Sequence, residues 1–426
     1  MTTMDRFEID VSDWLHEEAA HRPAEHLGAV LARTATTRQR PAWSSLERWL
    51  PVDLTFRSNR FALPQPARLL LIAAVVAALL VGALALIGST HRRLPQPFGP
   101  AGNGVQLVSH DGDVYSLDPA THQLTPLIAG QGYDFGAAFS RDGTHLMFLR
   151  AAGRPADTGP VPLSIVVADA DGSHARTVLG AGEGYDWSDW SPDGSRIALQ
   201  KSTGSDQWTL NILDVASGVL TPLELGVSVQ FPSWRPPNGQ EIVFRANGTS
   251  PSIQMVRPDG SGLRKLSTHP AVDANDFQQP VVSPDGASVL FSRWNAASER
   301  QRVIVLDVAT GKERPLPLAP DLSQLSGIFS PDGDTIAYVG KDVVRGTLQI
   351  YLAPFDASSS GTAIGPAMSA QGNEMSIAFS PDGKAIIARV GTDRSSTLYW
   401  VPLDGSAATA LDSGSFDFFD VQRLAP

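Results

Sequence analysis

Six short turns of one kind recur along this chain, and their regularity limits the fold more than any other feature. They read FSRDG at 139–143, WSPDG at 190–194, WRPPNG at 234–239, VSPDG at 282–286, FSPDG at 329–333 and FSPDG at 379–383, 44 to 51 residues apart. Each closes one apolar segment and opens another, such as HLMFLR, RIALQ, EIVFRA, SVLFSR, TIAYV and AIIARV. Pro presets φ for the second turn position, Asp bonds nearby backbone and Gly takes positive φ, so the motif joins two antiparallel strands. On this reading Asp193, Asp285, Asp332 and Asp382 shape turns, and their recurrence is no sign of catalysis.

A second series runs in phase with the first: VYSLDPATHQ, IVVADADGSH, NILDVASGV, IQMVRPDGSG, VIVLDVATGK, IYLAPFDASSSG and LYWVPLDGSA. Each is a strand and a turn, usually followed by a further short strand. The unit therefore has four strands, A to D, with the SPDG turn between A and B and the DG or SG turn between C and D. Seven C–D hairpins stand against six A–B turns, and the ends of the repeat region supply the difference. VQLVS, DVYSLD and QLTPLI, about 105–128, are strands B, C and D without an A, while FDFFDVQRL at 416–424 is an A strand alone. Pairing the two completes a seventh blade and removes a pair of open sheet edges. Four-strand units with a period near 47 residues fit an all-β propeller better than a solenoid. Seven blades is the expected count, with six and eight as the alternatives. A content of 38 Gly and 32 Pro with only 18% charged residues agrees with many short strands and turns.

The SPDG turn followed by a strand such as IVVADADG resembles the TolB and WD-like propeller repeats of bacterial envelope proteins, across residues 104–426. The resemblance implies a propeller fold. It leaves the role open, because such propellers serve as scaffolds, sensors and accessory domains of enzymes. Ahead of the repeats the chain departs from TolB, which is soluble, periplasmic and built with a different N-terminal domain.

From Leu69 to Thr90 the sequence LLLIAAVVAALLVGALALIGST carries no charge. Its apolar part, roughly 20 residues at ~1.5 Å each, matches a bilayer core of ~30 Å. A cleaved signal peptide would have a shorter apolar stretch nearer the N-terminus, so an uncleaved transmembrane helix over 68–90 is expected. Arg48, Arg57, Arg60 and Arg68 precede it, whereas Arg92 and Arg93 follow and no further Lys or Arg appears before Arg141. That asymmetry places the N-terminus in the cytoplasm and the propeller across the cell membrane as a single-pass protein. The expected organisation is thus a helical segment at 1–67, the anchor at 68–90, a Pro/Gly linker at 91–103 and the propeller at 104–426.

Phe7, Val11, Trp14 and Leu15 form one helical stripe, and Pro23 opens a second helix carrying Leu27, Val30 and Leu31. Two such helices hardly make a core alone, which suggests docking to a partner. A helical pair, an Arg/Gln/Trp-rich stretch and one anchor helix resemble membrane-tethered anti-sigma-like proteins of bacteria, and the resemblance implies a sigma-factor-like cytoplasmic partner at residues 1–45. The zinc-binding His and paired Cys of many such domains are missing here.

Chemistry is sparse. The absence of cysteine excludes disulfides, thiolate catalysis and Cys-based metal sites. His16, His21 and His26 recur every five residues, which turns successive side chains by ~140° and gives a solvated face, not a metal site. No GxSxG elbow, P-loop or GxGxxG is present. Residues 1–93 hold 11 Arg against 9 acids, leaving 22 bases against 35 acids beyond, and so acidic a main domain repels nucleic acid. No cofactor is expected, and an enzyme centred on the channel, of lyase or hydrolase type, is the lesser alternative.

The positions entering each A strand differ in character from ordinary loops. They read Tyr133-Asp134, Tyr185-Asp186-Trp187, Gln230-Phe231, Asn275-Asp276-Phe277, Gln324, Glu374 and Phe416-Asp417. D–A connections open onto one mouth of a propeller channel, so these residues are expected to ring it. Aromatic faces beside acids suit a cationic, peptide or sugar ligand. The expected function is a binding or sensing module that presents this mouth to a protein, peptide or glycan.

Overall fold

The computed structural model describes residues 95–425 apart from 155–160, 183, 205–206, 249–250, 268–278, 296, 373, 393–394 and 415, with backbone only for Phe416 and Asp417. The expected anchor over 68–90 and the N-terminal helices lie outside the described residues. Among the described residues no helix is long and apolar enough to cross a membrane.

These residues form seven four-stranded antiparallel sheets, each ordered A-B-C-D. Blade 2 consists of Tyr133–Phe139, His145–Ala151, Leu163–Asp169 and Arg176–Gly182, and blades 3 to 7 repeat the scheme through Thr409–Gly414. Blade 1 takes strands B, C and D from Gly102–His110, Asp113–Leu117 and Leu124–Ile128, and its A strand from Phe416–Leu424. Leu107 pairs with Asp420 and Gly102 with Leu424, so the two ends of the repeat region close the ring as the mismatch of hairpins predicts.

Strand B explains why the repeats read as unbroken apolar runs. Its two faces both meet a neighbouring blade, so alternation in direction produces no alternation in polarity. In blade 2, Leu146 and Phe148 pack with Leu107 and Val114 of blade 1. Met147 and Leu149 face the other way, toward Trp190, Ile197 and Leu199 of blade 3. D strands at the rim have no such cover, and Thr362–Ser369 of blade 6 is mostly exposed.

The recurring turn is a fixed hydrogen-bonded unit. Ser140, Ser191, Ser283, Ser330 and Ser380 each donate through Oγ to the Oδ1 of the Asp two residues on, at 2.5–2.7 Å. That Oδ1 also accepts the N–H of the residue after the Gly, for example Ala287 at 2.9 Å. The same Ser Oγ accepts the first N–H of strand B, as from Arg196 at 2.9 Å. The glycine is required twice over at Gly143 and Gly286. Their φ values are +68° and +74°, and a Cβ would lie 2.1 Å from a carbonyl oxygen of the preceding blade, that of Arg423 or Pro236.

Adjacent inner strands are also latched by two carboxylates. Asp189 of blade 3 accepts the N–H of Trp234 in blade 4 at 2.9 Å and the Oγ–H of Ser233 at 3.2 Å. Asp420 of blade 1 accepts the N–H of Phe139 in blade 2 at 2.9 Å. Each therefore ties strand A of its own blade to strand A of the next.

Candidate functional site

Strand A begins at the D–A end of the ring and runs toward the SPDG turns, so the residues entering it reach one mouth. Their environments differ sharply from blade to blade. Asp134 is fully buried and receives both nitrogens of a forked pair from Arg150, Nε at 2.7 Å and Nη2 at 2.8 Å. Its backbone N–H donates to the Gly112 carbonyl at 2.7 Å. Hydrogen bonding to Asp134 raises the Arg150 pKa further above the ordinary guanidinium value. Tyr133 is half-buried, set at 6.0 Å from Phe135 and under the Arg154 guanidinium. Asp134 therefore holds blade 2 together and does not add an open carboxylate to the mouth.

Gln324 is likewise an internal brace. It is fully buried, its Oε1 accepting from the Val303 N–H at 3.0 Å and its Nε2 donating to the Pro317 carbonyl at 2.9 Å. Glu374 is exposed at the start of its strand, opposite Gly391. Asn275, Asp276 and Phe277, and the side chain of Asp417, lie outside the described residues.

Blades 3 and 4 bring the remaining candidates together. Trp187 and Phe231 meet edge to face with ring centroids 5.6 Å apart, and the Trp187 Nε1–H donates to the Pro232 carbonyl at 3.2 Å. Phe231 holds a left-handed backbone, φ +52°, at an irregularity in the A–B pairing between Gln230 and Ser233. One buried amide organises this group. Gln200 donates through Nε2 to Asp186 Oδ2 at 3.2 Å and accepts the Phe231 N–H through Oε1 at 2.8 Å. Tyr185 is buried beneath the Lys201 ammonium, 5.3 Å from its ring, and burial raises its hydroxyl pKa. Asp186 keeps an exposed side, yet enough protein surrounds its carboxyl that desolvation raises its pKa. The Oε1 of half-buried Gln230 is enclosed with no hydrogen-bond partner.

Gln200 is the residue that the repeat pattern does not announce as a site residue. Its signal is faint but present, an amide in the B strand RIALQ where blade 2 has Leu149. The arrangement can receive a hydrogen-bond donor or cation at Asp186 beside an aromatic pair. Among the described residues no three His, Asp or Glu side chains group as ligands for a metal ion.

No family model matches the chain. A TolB homolog of Chlorobium luteolum is 33% identical over 125 residues, which is 29% of this chain and 27% of that protein. The match thus spans about a quarter of the curated relative, and the propeller is TolB-like to that extent. Among solved structures, an oligogalacturonate lyase in complex with manganese aligns with a TM-score of 0.54 at 19% identity, over 68% of this chain and 82% of the lyase. A prolyl endopeptidase structure aligns with a TM-score of 0.53 at 13% identity, over 76% of this chain and 51% of the enzyme. At these identities the likeness is one of fold alone.

Proposed function

We propose that this chain is a binding or sensing module whose propeller takes a cationic group of a protein or peptide partner at the D–A mouth between blades 3 and 4. The observation that carries this reading is Asp186. Its carboxylate stays open to solvent while Gln200 fixes it beside the edge-to-face pair Trp187–Phe231. A Lys or Arg side chain would gain a charge-assisted hydrogen bond and a cation–π contact at once, whereas a neutral sugar could donate a hydroxyl to Asp186 and stack on the rings but would bring no charge to the carboxylate. In the same reading the segment 68–90 anchors the chain in the cell membrane, with residues 1–67 in the cytoplasm available to a sigma-factor-like partner. Sequence alone supports that part, through the uncharged run and its Arg flanks.

The test is capture of partners by the full-length chain, compared with Asp186→Asn and Trp187→Ala. A partner held through this mouth should be lost from both variants. Equal recovery on all three baits would move the working surface elsewhere. A phosphatase reporter fused after residue 103 checks the topology, and an inactive fusion would reverse it.

A lyase or hydrolase reading has neighbours of both kinds in fold, and the lyase is in complex with manganese. Among the described residues of this chain no three metal-ligating side chains group together, so they do not fit such an ion. Release of unsaturated products from oligogalacturonate by the purified chain would favour this second reading over the first.

A further inference from the structure

The chain approaches its first strand across the SPDG face, on the far side from the candidate mouth, and it does not cross freely. Arg423, on the closing A strand, donates through Nη2 to the carbonyls of Gln96 at 3.0 Å and Gly99 at 2.6 Å. The Phe98 ring lies 5.3 Å beneath the Arg141 guanidinium, which is itself held by Asp189 at 2.9 Å. Arg141 stands where the other five turns carry Pro, so the ring's regular turn is altered at the point where this segment passes. Beyond it, the Ala101 N–H donates to the Pro381 carbonyl in the turn of blade 7 at 2.8 Å. Residues 95–101 are therefore tied to blades 1, 2 and 7 in succession.

What the segment covers follows from what shares its cavity. Pro97, Phe98 and Gly99 wall a space of about 270 Å³ together with the ends of inner strands, Trp234 of blade 4, Val282 of blade 5 and Phe379 of blade 7 among them. Inner strands of blades on opposite sides of a propeller approach one another only at its axis. The space is the channel's mouth on the SPDG side.

We infer that Pro97-Phe98-Gly99 is a plug which the chain lays over the SPDG mouth of its own channel, leaving the D–A mouth as the way in. The lining suits a plug of this composition, being largely Pro, Val, Ile, Phe and Trp, an apolar wall beside which the half-buried Phe98 ring is partly withdrawn from water. The polar part of the contact is left to Arg423. Burial lowers its pKa to about 10, so it stays a cation at neutral pH. Its Nε is enclosed without a partner, so the two plug carbonyls are a substantial part of what compensates that charge. Gly99 turns the segment back at φ +88°, with nothing within 4 Å of where a Cβ would stand. A β-branched residue there would strain the plug without touching the ring.

The chain has no cysteine, so Ala378→Cys in the full-length protein supplies a single thiol in the wall of this space. The quantity to measure is its rate of modification by a polyethylene-glycol maleimide too bulky to thread the ring from the other side. The rate should be low in that background and rise by about tenfold when Phe98→Ser is added, as expected for exposure governed by a local closed state. Gly99→Val should raise it in the same direction, and it carries the test alone if Phe98→Ser fails to fold. Equal rates in the background and in whichever of these variants fold would mean the mouth is already open, and the inference would be overturned.

Discussion

The Asp420 carboxylate accepts the Phe139 amide at 2.9 Å through Oδ2 and the amide of its own neighbour Val421 at 2.8 Å through Oδ1, so the closing strand, already paired with strand B of blade 1, is fastened to blade 2 as well. Desolvation raises the pKa of this enclosed carboxyl, with the Phe139 and Val421 amides and then Arg141 and Arg423 acting against the rise. Asp420→Ala would strand two N–H groups and should cost about 2–3 kcal/mol. Asp420→Asn keeps one acceptor and removes the buried charge, and should stay within about 1 kcal/mol of the parent. Denaturant unfolding of both variants reads the difference, and equal losses would count against the latch.

Closure of the ring gives a second expectation. Residues 416–424 supply the inner strand of blade 1, the Asp420 latch, and the Gln422 amide that donates to the Gly143 carbonyl at 2.7 Å. Deleting 414–426 opens a sheet edge on strand B of blade 1 and removes all three. Thermal unfolding of the ring should move to a markedly lower temperature as one transition. An unchanged midpoint would show that the ring does not depend on closure by this strand.

The turn carboxylates fix the acid limit of stability. Asp332 is held below the ordinary carboxylate pKa first by the Ser330 hydroxyl and then by the Asp334 amide. At Asp142, Asp193 and Asp382 burial pushes the pKa up, but hydrogen bonds from the turn outweigh it and the net shift is downward. A folded pKa below the unfolded 3.8 adds stability that is fully present above that value and is lost as pH falls through the lowered ones. Asp186 and Asp420 act oppositely, because their raised values cost stability above 3.8 and that cost is relieved on acidification. Unfolding free energies taken between about pH 5 and pH 2.5 should fall toward acid, and less steeply once all four turn Asp are changed to Asn. An identical slope in that variant would assign the acid loss to other groups.

How much of this was legible in the sequence depends on the distance over which each signal acts. The Ser-x-Asp-Gly turns are closed within six residues, so their chemistry could be read from the string. Blade closure was legible too, because seven C–D hairpins cannot be matched with six A–B turns without joining the ends. The fate of a mouth carboxylate was not. Asp134 and Asp186 follow the same Tyr in the same repeat position, yet Asp134 stands in register with Arg150, while Asp186 meets only the Gln200 amide. Irregularities in the A–B pairing, between Phe135 and Ala138 and between Tyr185 and Ser188, shift the register there. The composition of residues 91–103 reads as a linker, but Gln96 and Gly99 within it are gripped by Arg423, more than 320 positions away.

The difference between those two aspartates is the sharpest test of where the working surface lies. Asp134 is enclosed and doubly bonded to a guanidinium that is itself partly exposed, so removing the acid leaves a cation only partly able to turn to water. Asp134→Ala should cost about 3 kcal/mol, and adding Arg150→Met should recover part of it, because a broken buried pair is worse than none. Neither change should alter partner capture beyond what lost stability explains. Asp186→Asn should do the reverse, with a small change in stability and loss of a cationic partner. Since desolvation raises the Asp186 pKa above 3.8, capture by the parent should already weaken on acidification at a pH where an ordinary aspartate is still ionised. Binding measured as a function of pH in the parent and in Asp186→Asn separates the possibilities. A parent profile that matches the variant's would show that the cation is held elsewhere, with exposed Glu374 the next carboxylate to change.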